Sequence, residues 1–208
     1  MFRNPRDLLQ AYTDGFVGSW CDPEDTDKLL GQLPHPLFGV AASDLYSSGE
    51  GKVALLYKSV QKFDPTFGAH ERQTTGDCVS HSTRNAVDVT RSHEIIDGQS
   101  ESFETRGATE AIYGSRGHGG QGMSCSVAAR FVHQNGGILL RKDYGFVDFS
   151  EYKSSIGSRW GRSGVPKEVK AEGKKHQVKT ISMVKSVDEA RDAIANGYAL
   201  SVCSNYGF

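Results

Sequence analysis

Apolar residues recur on one face of a predicted helix in the middle of the chain. Within the segment GDCVSHSTRNAVDVT, Ala86 and Val89 lie three residues apart, a spacing typical of an amphipathic helix. Two polar residues of the kind that caps helices, Thr75 and Asp77, precede this stretch. The pattern therefore predicts a helix that begins within a residue of Cys78.

Two further helices are predicted from local signals. The first covers 124–133 and ends at a pair of glycines after Asn135. Its apolar stripe consists of Val127, Ala128, Phe131 and Val132. The second is short, begins with a capping box made by Ser186 and Glu189, and is closed by Gly197.

Strands are predicted near the C-terminal end. Apolar and polar residues alternate over 176–186, and YALSVCS at 198–204 has the composition of a second strand. The sequence before them is rich in Ser, Gly and Lys and is predicted to be a loop. Its last part, KEVKAEGKKH at 167–176, is predicted to be solvated. Helices followed by strands, without internal repeats, favour an α+β fold.

The chain divides into an N-terminal accessory segment, 1–68, and a main domain, 69–208. Proline and glycine punctuate much of the accessory segment. Near its end, VALLYKSVQKF at 53–63 predicts a buried helix that packs on the elements that follow.

Composition narrows the possible partners. Lysine and arginine number 24 against 25 aspartates and glutamates, so no broad basic surface for nucleic acid or an anionic membrane is expected. No apolar run has the length of a secretion signal or a membrane span. We therefore expect a cytoplasmic protein, or a virion-associated one if a phage encodes it. The cysteines are widely scattered and are expected to be free thiols: Cys21, Cys78, Cys125 and Cys203.

Cys78 is the candidate nucleophile. A cysteine in the first turn of a helix lies where unpaired backbone amides and the helix dipole favour the thiolate. Its own amide can face a developing oxyanion, and the side-chain amide of Gln73 can supply a second donor. Gly76 allows a tight turn between the two. Cys21, Cys125 and Cys203 lack such a context and are interpreted as packing residues.

The segment from Gln73 through Gly76 and Cys78 into a long helix resembles the active-site segment of papain-like cysteine peptidases. Farther along, a glycine-rich loop comprising Gly119, Gly120, Gln121 and Gly122 resembles the loop by which that family binds an extended peptide. The resemblance covers roughly residue 70 to the end. It implies an α+β fold with a helical half carrying the nucleophile helix, a strand-rich half, and a cleft between them.

The resemblance also implies an activity and a missing part. Such enzymes hydrolyse peptide or isopeptide bonds through an acyl-thioester, need no metal or cofactor, and take a peptide or protein as substrate. Their base is a histidine about 130 to 150 residues beyond the cysteine, which here falls at or beyond Phe208. All 7 histidines precede that window. We therefore expect a C-terminally incomplete domain that lacks most peptidase activity as given.

Three alternatives remain open from the residues alone. Asp77 and Val79 depart from the family pattern, which motivates a non-catalytic binding or structural module. Glycines at the spacing of GHGGQG also match a dinucleotide fingerprint, although the polar Ser115 precedes them where a buried strand is expected. His81 could pair with Cys78 in a metal site, but no second pair completes a zinc shell, and a polar surface histidine is the favoured interpretation.

Overall fold

The computed structural model of the protein describes residues 38, 47–68, 71–98, 102–184 and 186–202. All of them belong to one unit, Pro36–Val202. Most of the predicted accessory segment, Cys21 and Cys203 therefore lie outside the described residues.

Regular structure in the described residues is helical. The helices are α1 (Tyr57–Gln61), α2 (Cys78–Ile96), α3 (Glu110–Gly114), α4 (Cys125–Arg130), α5 (Ser154–Ser163), α6 (Lys167–Gly173) and α7 (Val187–Ala195). A π-helical turn, Phe131–Asn135, follows α4, and a 3₁₀ turn, Lys174–His176, follows α6. Within this part of the chain none of the helices combines the length and apolar content that crossing a bilayer requires.

Helix α2 confirms the prediction of a helix beginning at Cys78. Asp77 is its N-cap at φ −108°, and the Asp77 carbonyl accepts from the amide of His81 at 3.1 Å. The Asp77 carboxylate makes no capping hydrogen bond, and the Ser80 hydroxyl donates to the same carbonyl at 2.7 Å. Because the Asp77 carboxylate does not cap the helix, it can turn into the protein interior, where it contacts other side chains.

The start predicted for α4 and the cap predicted for α7 are also confirmed. Ser124 accepts from the amide of Val127 at 3.4 Å, and Ser186 accepts from the amide of Glu189 at 3.1 Å. Such caps depend on hydrogen bonds between residues three apart, which the sequence displays directly.

The predicted solvated loop is wrong, because it contains α5 and α6. Trp160, Val165 and Val169 from this stretch are buried in the main core. The glycines of α5 lower its intrinsic helix propensity, but they let it approach α3 closely, since a Cβ on Gly157 would lie 2.9 Å from the Glu110 carbonyl oxygen. Tertiary packing therefore outweighs local propensity.

The described residues contain no run of strand where the strand-rich half was predicted. Residues 177–184 form no strand: the amide of Val178 donates at 3.1 Å to the carbonyl of Val132, in the turn that follows α4, and the Met183 carbonyl accepts from the amide of Phe38 at 2.9 Å. Residues 198–202 are irregular. An isolated antiparallel bridge joins Gly107 to Leu140. The described part of the chain is thus mostly helical. The alternation of apolar and polar residues did not indicate which partners residues 177–184 would take.

Helix α1 is shorter than the predicted helix over 53–63. Val60 is fully buried where α1 packs on α2, as predicted, but Val53 is 87% exposed. Only the last part of this apolar run is in the core.

The main core lies among α3, α4, α5 and α6 and contains two aromatic residues in edge-to-face contact. The rings of Phe149 and Trp160 meet at 5.9 Å with an interplanar angle of 81°. Phe149 is fully buried, and the ring of Tyr144 packs against it from the other side at 6.2 Å. Phe149 therefore fills the centre of the core.

Replacing Phe149 with alanine is expected to lower the free energy of unfolding by about 3–5 kcal/mol, because it leaves a cavity between two rings. Chemical denaturation measures this loss. Phe146→Ala is the matched control: Phe146 is 51% exposed, and the expected change is within about 0.5 kcal/mol. Equal losses in the two variants would contradict this placement of the core.

Candidate functional site

Cys78 is a free, exposed cysteine at the first residue of α2. Within the described ranges no side chain forms a hydrogen bond or an ion pair with its thiol. The helix that it opens has 19 residues, long enough to present aligned amides and a dipole to the sulfur. The structure therefore provides an accessible thiol in the setting that favours nucleophilic chemistry.

Cys125, at the start of α4, corrects the expectation of four free thiols. It is disulfide-bonded. The sequence argument for a reducing compartment rested on scattered, unpaired cysteines, and Cys125 no longer supports it, because structural disulfides persist in oxidising surroundings.

The structure brings the predicted glycine loop against the segment that precedes Cys78. The Gly122 amide donates to the Gly76 carbonyl at 3.0 Å. In return, the Gly76 amide donates to the side-chain oxygen of Gln121 at 2.5 Å. Two predicted parts of one site, more than forty residues apart in sequence, are therefore neighbours.

Gln121 acts as a clamp between these two segments. Besides the Gly76 amide, its Oε1 accepts from Thr75 Oγ1 at 2.8 Å and from the Tyr113 hydroxyl at 3.3 Å. Since this oxygen already receives three donors, Gln121 has a positioning role that the sequence did not indicate, and its predicted contact with a substrate stays a prediction. Gly76 fits here because a Cβ would lie 2.8 Å from that oxygen.

The rest of the loop is anchored by Arg116. Its Nε donates to the Gly120 carbonyl at 3.0 Å, and its Nη1 donates to the carbonyls of Tyr113 and Gly157 at 2.8 and 2.9 Å. Arg116 itself is buried. One guanidinium thus joins α3, α5 and the glycine loop, while Gly119, Gly120 and Gln121 remain exposed at the surface.

Gln73, the second predicted oxyanion donor, is exposed. Its side chain makes no hydrogen bond to any residue that the structure describes. The structure places it on the segment that leads into Cys78 without orienting its amide.

A buried cluster of charged side chains lies beneath the start of α2, and sequence reasoning missed it. Its members are Glu71, Asp77, His81, Arg84, Asp88, Arg106, Glu110 and Arg141. One signal was available: four of them recur every three or four residues along α2, as an apolar core face would. Of this charged stripe the sequence analysis considered only Asp77, as a cap, and His81, as a surface residue.

His81 corrects the prediction of a surface histidine, since it is only 6% exposed. Its Nδ1 lies 3.4 Å from Glu71 Oε2, and its Nε2 lies 3.3 Å from Asp77 Oδ2. The Tyr152 hydroxyl donates to the same Asp77 oxygen at 2.7 Å, and the two rings of Tyr152 and His81 meet edge to face. The Asp77 carboxylate, which does not cap α2, thus contacts both His81 and Tyr152.

Arginines complete the cluster. Arg84 donates to Glu71, and Arg141 places its Nη1 2.7 and 2.8 Å from the two oxygens of the fully buried Glu110. The Lys153 amide donates to Glu110 as well, at 2.8 Å. Ion pairs and a backbone hydrogen bond therefore connect α2, α3 and the segments that carry Arg141 and Lys153.

The cluster shifts two pKa values in opposite directions. The hydrogen bond from His81, with further help from Arg84 and Arg141, holds the pKa of Glu71 well below its usual range, although burial acts against this. Burial alone lowers the pKa of His81, but the nearby carboxylates of Asp77 and Glu71 outweigh it and raise this pKa above its ordinary value of 6.5. Both shifts favour a charged pair.

The alternative nucleotide and metal sites find no support in the geometry. The helix α3 precedes Gly117, where a dinucleotide fingerprint follows a buried strand. Groups of three or more His, Cys, Asp or Glu side chains suited to a metal ion are absent from the part of the chain that is described. A cavity of about 360 Å³ lies between Gly117, Phe131 and Lys170, and it is not lined by Cys78, Gln73 or the loop from Gly119 to Gly122.

Comparison of the chain with protein-family models, with curated proteins and with solved structures finds no match in any of the three.

Replacing Gln121 with methionine is expected to release the loop, because three donors lose their acceptor. We expect about 1–3 kcal/mol less stability and faster hydrogen exchange at the amides of Gly76 and Gly122. Gln73→Met is the control, since Gln73 makes no such bonds and should change neither quantity. Unchanged exchange in the Gln121 variant would show that the clamp does not hold the two segments together.

Proposed function

We propose that this chain carries the nucleophile of a papain-like cysteine peptidase, which cleaves peptide or isopeptide bonds through an acyl-thioester. The observation that carries the proposal is the exposed, free thiol of Cys78 at the first residue of a long helix, beside a glycine loop clamped to the same segment. In this proposal the complete domain has the α+β arrangement, with a strand-rich half facing the helical half across a cleft.

The chemistry assigns each group a role. The Cys78 thiolate attacks the substrate carbonyl, and the Cys78 amide, with the Gln73 side chain, stabilises the oxyanion. The intermediate collapses to a thioester as the amine leaves with a proton from a histidine, and water then releases the acid. Backbone of the loop from Gly119 to Gly122 binds the extended peptide, because exposed glycines allow close approach.

The test uses the chain followed by whatever its reading frame encodes after the Phe208 codon. A peptide carrying an electrophile is expected to label Cys78 with saturable kinetics, because it binds before it reacts, and mass spectrometry locates the adduct. Cys78→Ala should abolish labelling and lower peptide hydrolysis by about 10³-fold or more. Its stability should be unchanged, because the thiol is exposed.

Iodoacetamide is the control reagent, since it requires a thiol but no substrate site. If the peptide electrophile labels Cys78 no faster than iodoacetamide does and without saturation, the peptidase proposal is wrong. That result would favour a non-catalytic module with an accessible cysteine. Labelling at another cysteine would also overturn the proposal.

A further inference from the structure

His81 lies between two carboxylates: the buried Asp77, which directly precedes Cys78, and the partly buried Glu71. The groups that face it come from several segments: Glu71 from the segment before α2, Asp77 from its cap, Arg84 from its next turn, and Tyr152 from the segment before α5. Arg141 reaches the other oxygen of Glu71 at 3.4 Å. His81 is thus surrounded by charge instead of solvent.

The geometry favours the protonated ring. Nδ1 lies 3.4 Å from both Glu71 Oε2 and Arg84 Nη2. The guanidinium can only donate, so it acts against a proton on Nδ1, whereas Glu71, to which it also donates, favours one. Nε2 lies 3.3 Å from Asp77 Oδ2 in an ion-pair contact that is not aligned as a hydrogen bond. A carboxylate thus lies within 3.4 Å of each ring nitrogen, and the imidazolium is the form whose charge matches both.

Asp77 depends on this ring for its charge balance. It is 1% exposed, and among the described residues its only cationic partner within ion-pair distance is His81. The Tyr152 hydroxyl donates one neutral hydrogen bond to Oδ2, while Oδ1 has no hydrogen-bond partner in the described part of the chain. A neutral His81 would leave a buried carboxylate without a counter-charge, directly before Cys78, and such a charge disfavours a neighbouring thiolate.

We infer that His81 is a positioning residue for Cys78: its imidazolium ties Asp77 to Glu71, fixes the first turn of α2, and neutralises the carboxylate that precedes the sulfur. This inference rests on the proposed role of Cys78 as nucleophile. It adds a regulatory property to that site, because the thiol is fully prepared only while His81 is protonated. The raised pKa of His81 is consistent with this arrangement.

The sign of the pH effect follows from linkage. Because the pKa of His81 is raised above 6.5 in the folded protein, its contribution to stability is complete below 6.5 and is lost as the pH rises through the folded value. The same protonation that stabilises the start of α2 also favours the Cys78 thiolate. The alkylation rate of Cys78 rises with pH as the thiolate forms. We expect a second effect in the opposite direction, because the thiolate loses the support of His81 as that ring loses its proton.

The experiment measures iodoacetamide alkylation of Cys78 against pH in the full chain, with the His81 ring titrated by NMR. His81→Gln is expected to lower the rate constant about fivefold at pH 6, and the two rates should converge once wild-type His81 has lost its proton. In a chain that also carries Asp77→Asn, the His81→Gln change should no longer alter the rate, because the carboxylate that needs a counter-charge is gone. The matched control is His93→Gln: His93 is on the same helix and pairs with the exposed Asp97 at 3.4 Å, so no change is expected.

Two results would overturn the inference. One is an NMR titration in which wild-type His81 loses its proton at or below 6.5, a measurement that needs no folded variant. The other is a rate difference that stays constant at every pH, as a purely structural defect would produce. Because iodoacetamide needs only the thiol, a failure of peptide labelling would overturn the proposed peptidase and leave this readout intact.

Discussion

The charged cluster beneath the first turn of α2 is the constraint on which the proposed site depends. Buried ions cost several kcal/mol each to remove from water, and they are tolerated only when each has a partner in good geometry. Here Glu71, Asp77 and Glu110 are matched by His81, Arg84 and Arg141. Removing one member of such a pair typically costs about 3–5 kcal/mol, because the charge left behind stays buried. The cluster therefore sets one arrangement of the segments that meet there.

That arrangement explains why the thiol is placed as it is. In many helices the N-cap side chain accepts from the first turn, but Asp77 turns its carboxylate inward to His81 and Tyr152. The first amides of α2 are left without that acceptor, directly beside an exposed Cys78. Asp77 thus has two effects: its carboxylate pairs with His81 inside the protein, and its turn inward leaves the first amides of α2 uncapped beside Cys78.

A second set of contacts gives the site its other wall. Gln121 accepts three hydrogen bonds and Arg116 donates to the loop carbonyl of Gly120, so a sequence with four glycines in six residues is held in one place. A flexible loop would lose much conformational entropy on binding a peptide, whereas a clamped one has already lost it. In the proposed peptidase, this clamping lowers the entropic cost of binding an extended peptide.

Local signals in the sequence determined where helices begin. Cys78, Ser124 and Ser186 mark starts that the structure confirms, because caps and apolar periodicity involve residues only three or four apart. Cys78 and the glycine loop were also identified from the sequence as parts of one candidate site. The helices α5 and α6 were missed, since their glycine- and lysine-rich sequence becomes helical only through burial of residues such as Trp160.

Only the tertiary structure decided which polar residues are buried and which segments touch. His81 looked like a surface residue because its partner Glu71 precedes the helix and Tyr152 follows far along the chain, and neither is visible in the spacing of α2. The clamp that Gln121 makes and the disulfide at Cys125 have the same origin, since both depend on contacts between distant parts of the chain. A sequence shows which atoms can pair, but the free energy of burying a charge depends on partners that folding brings from distant positions.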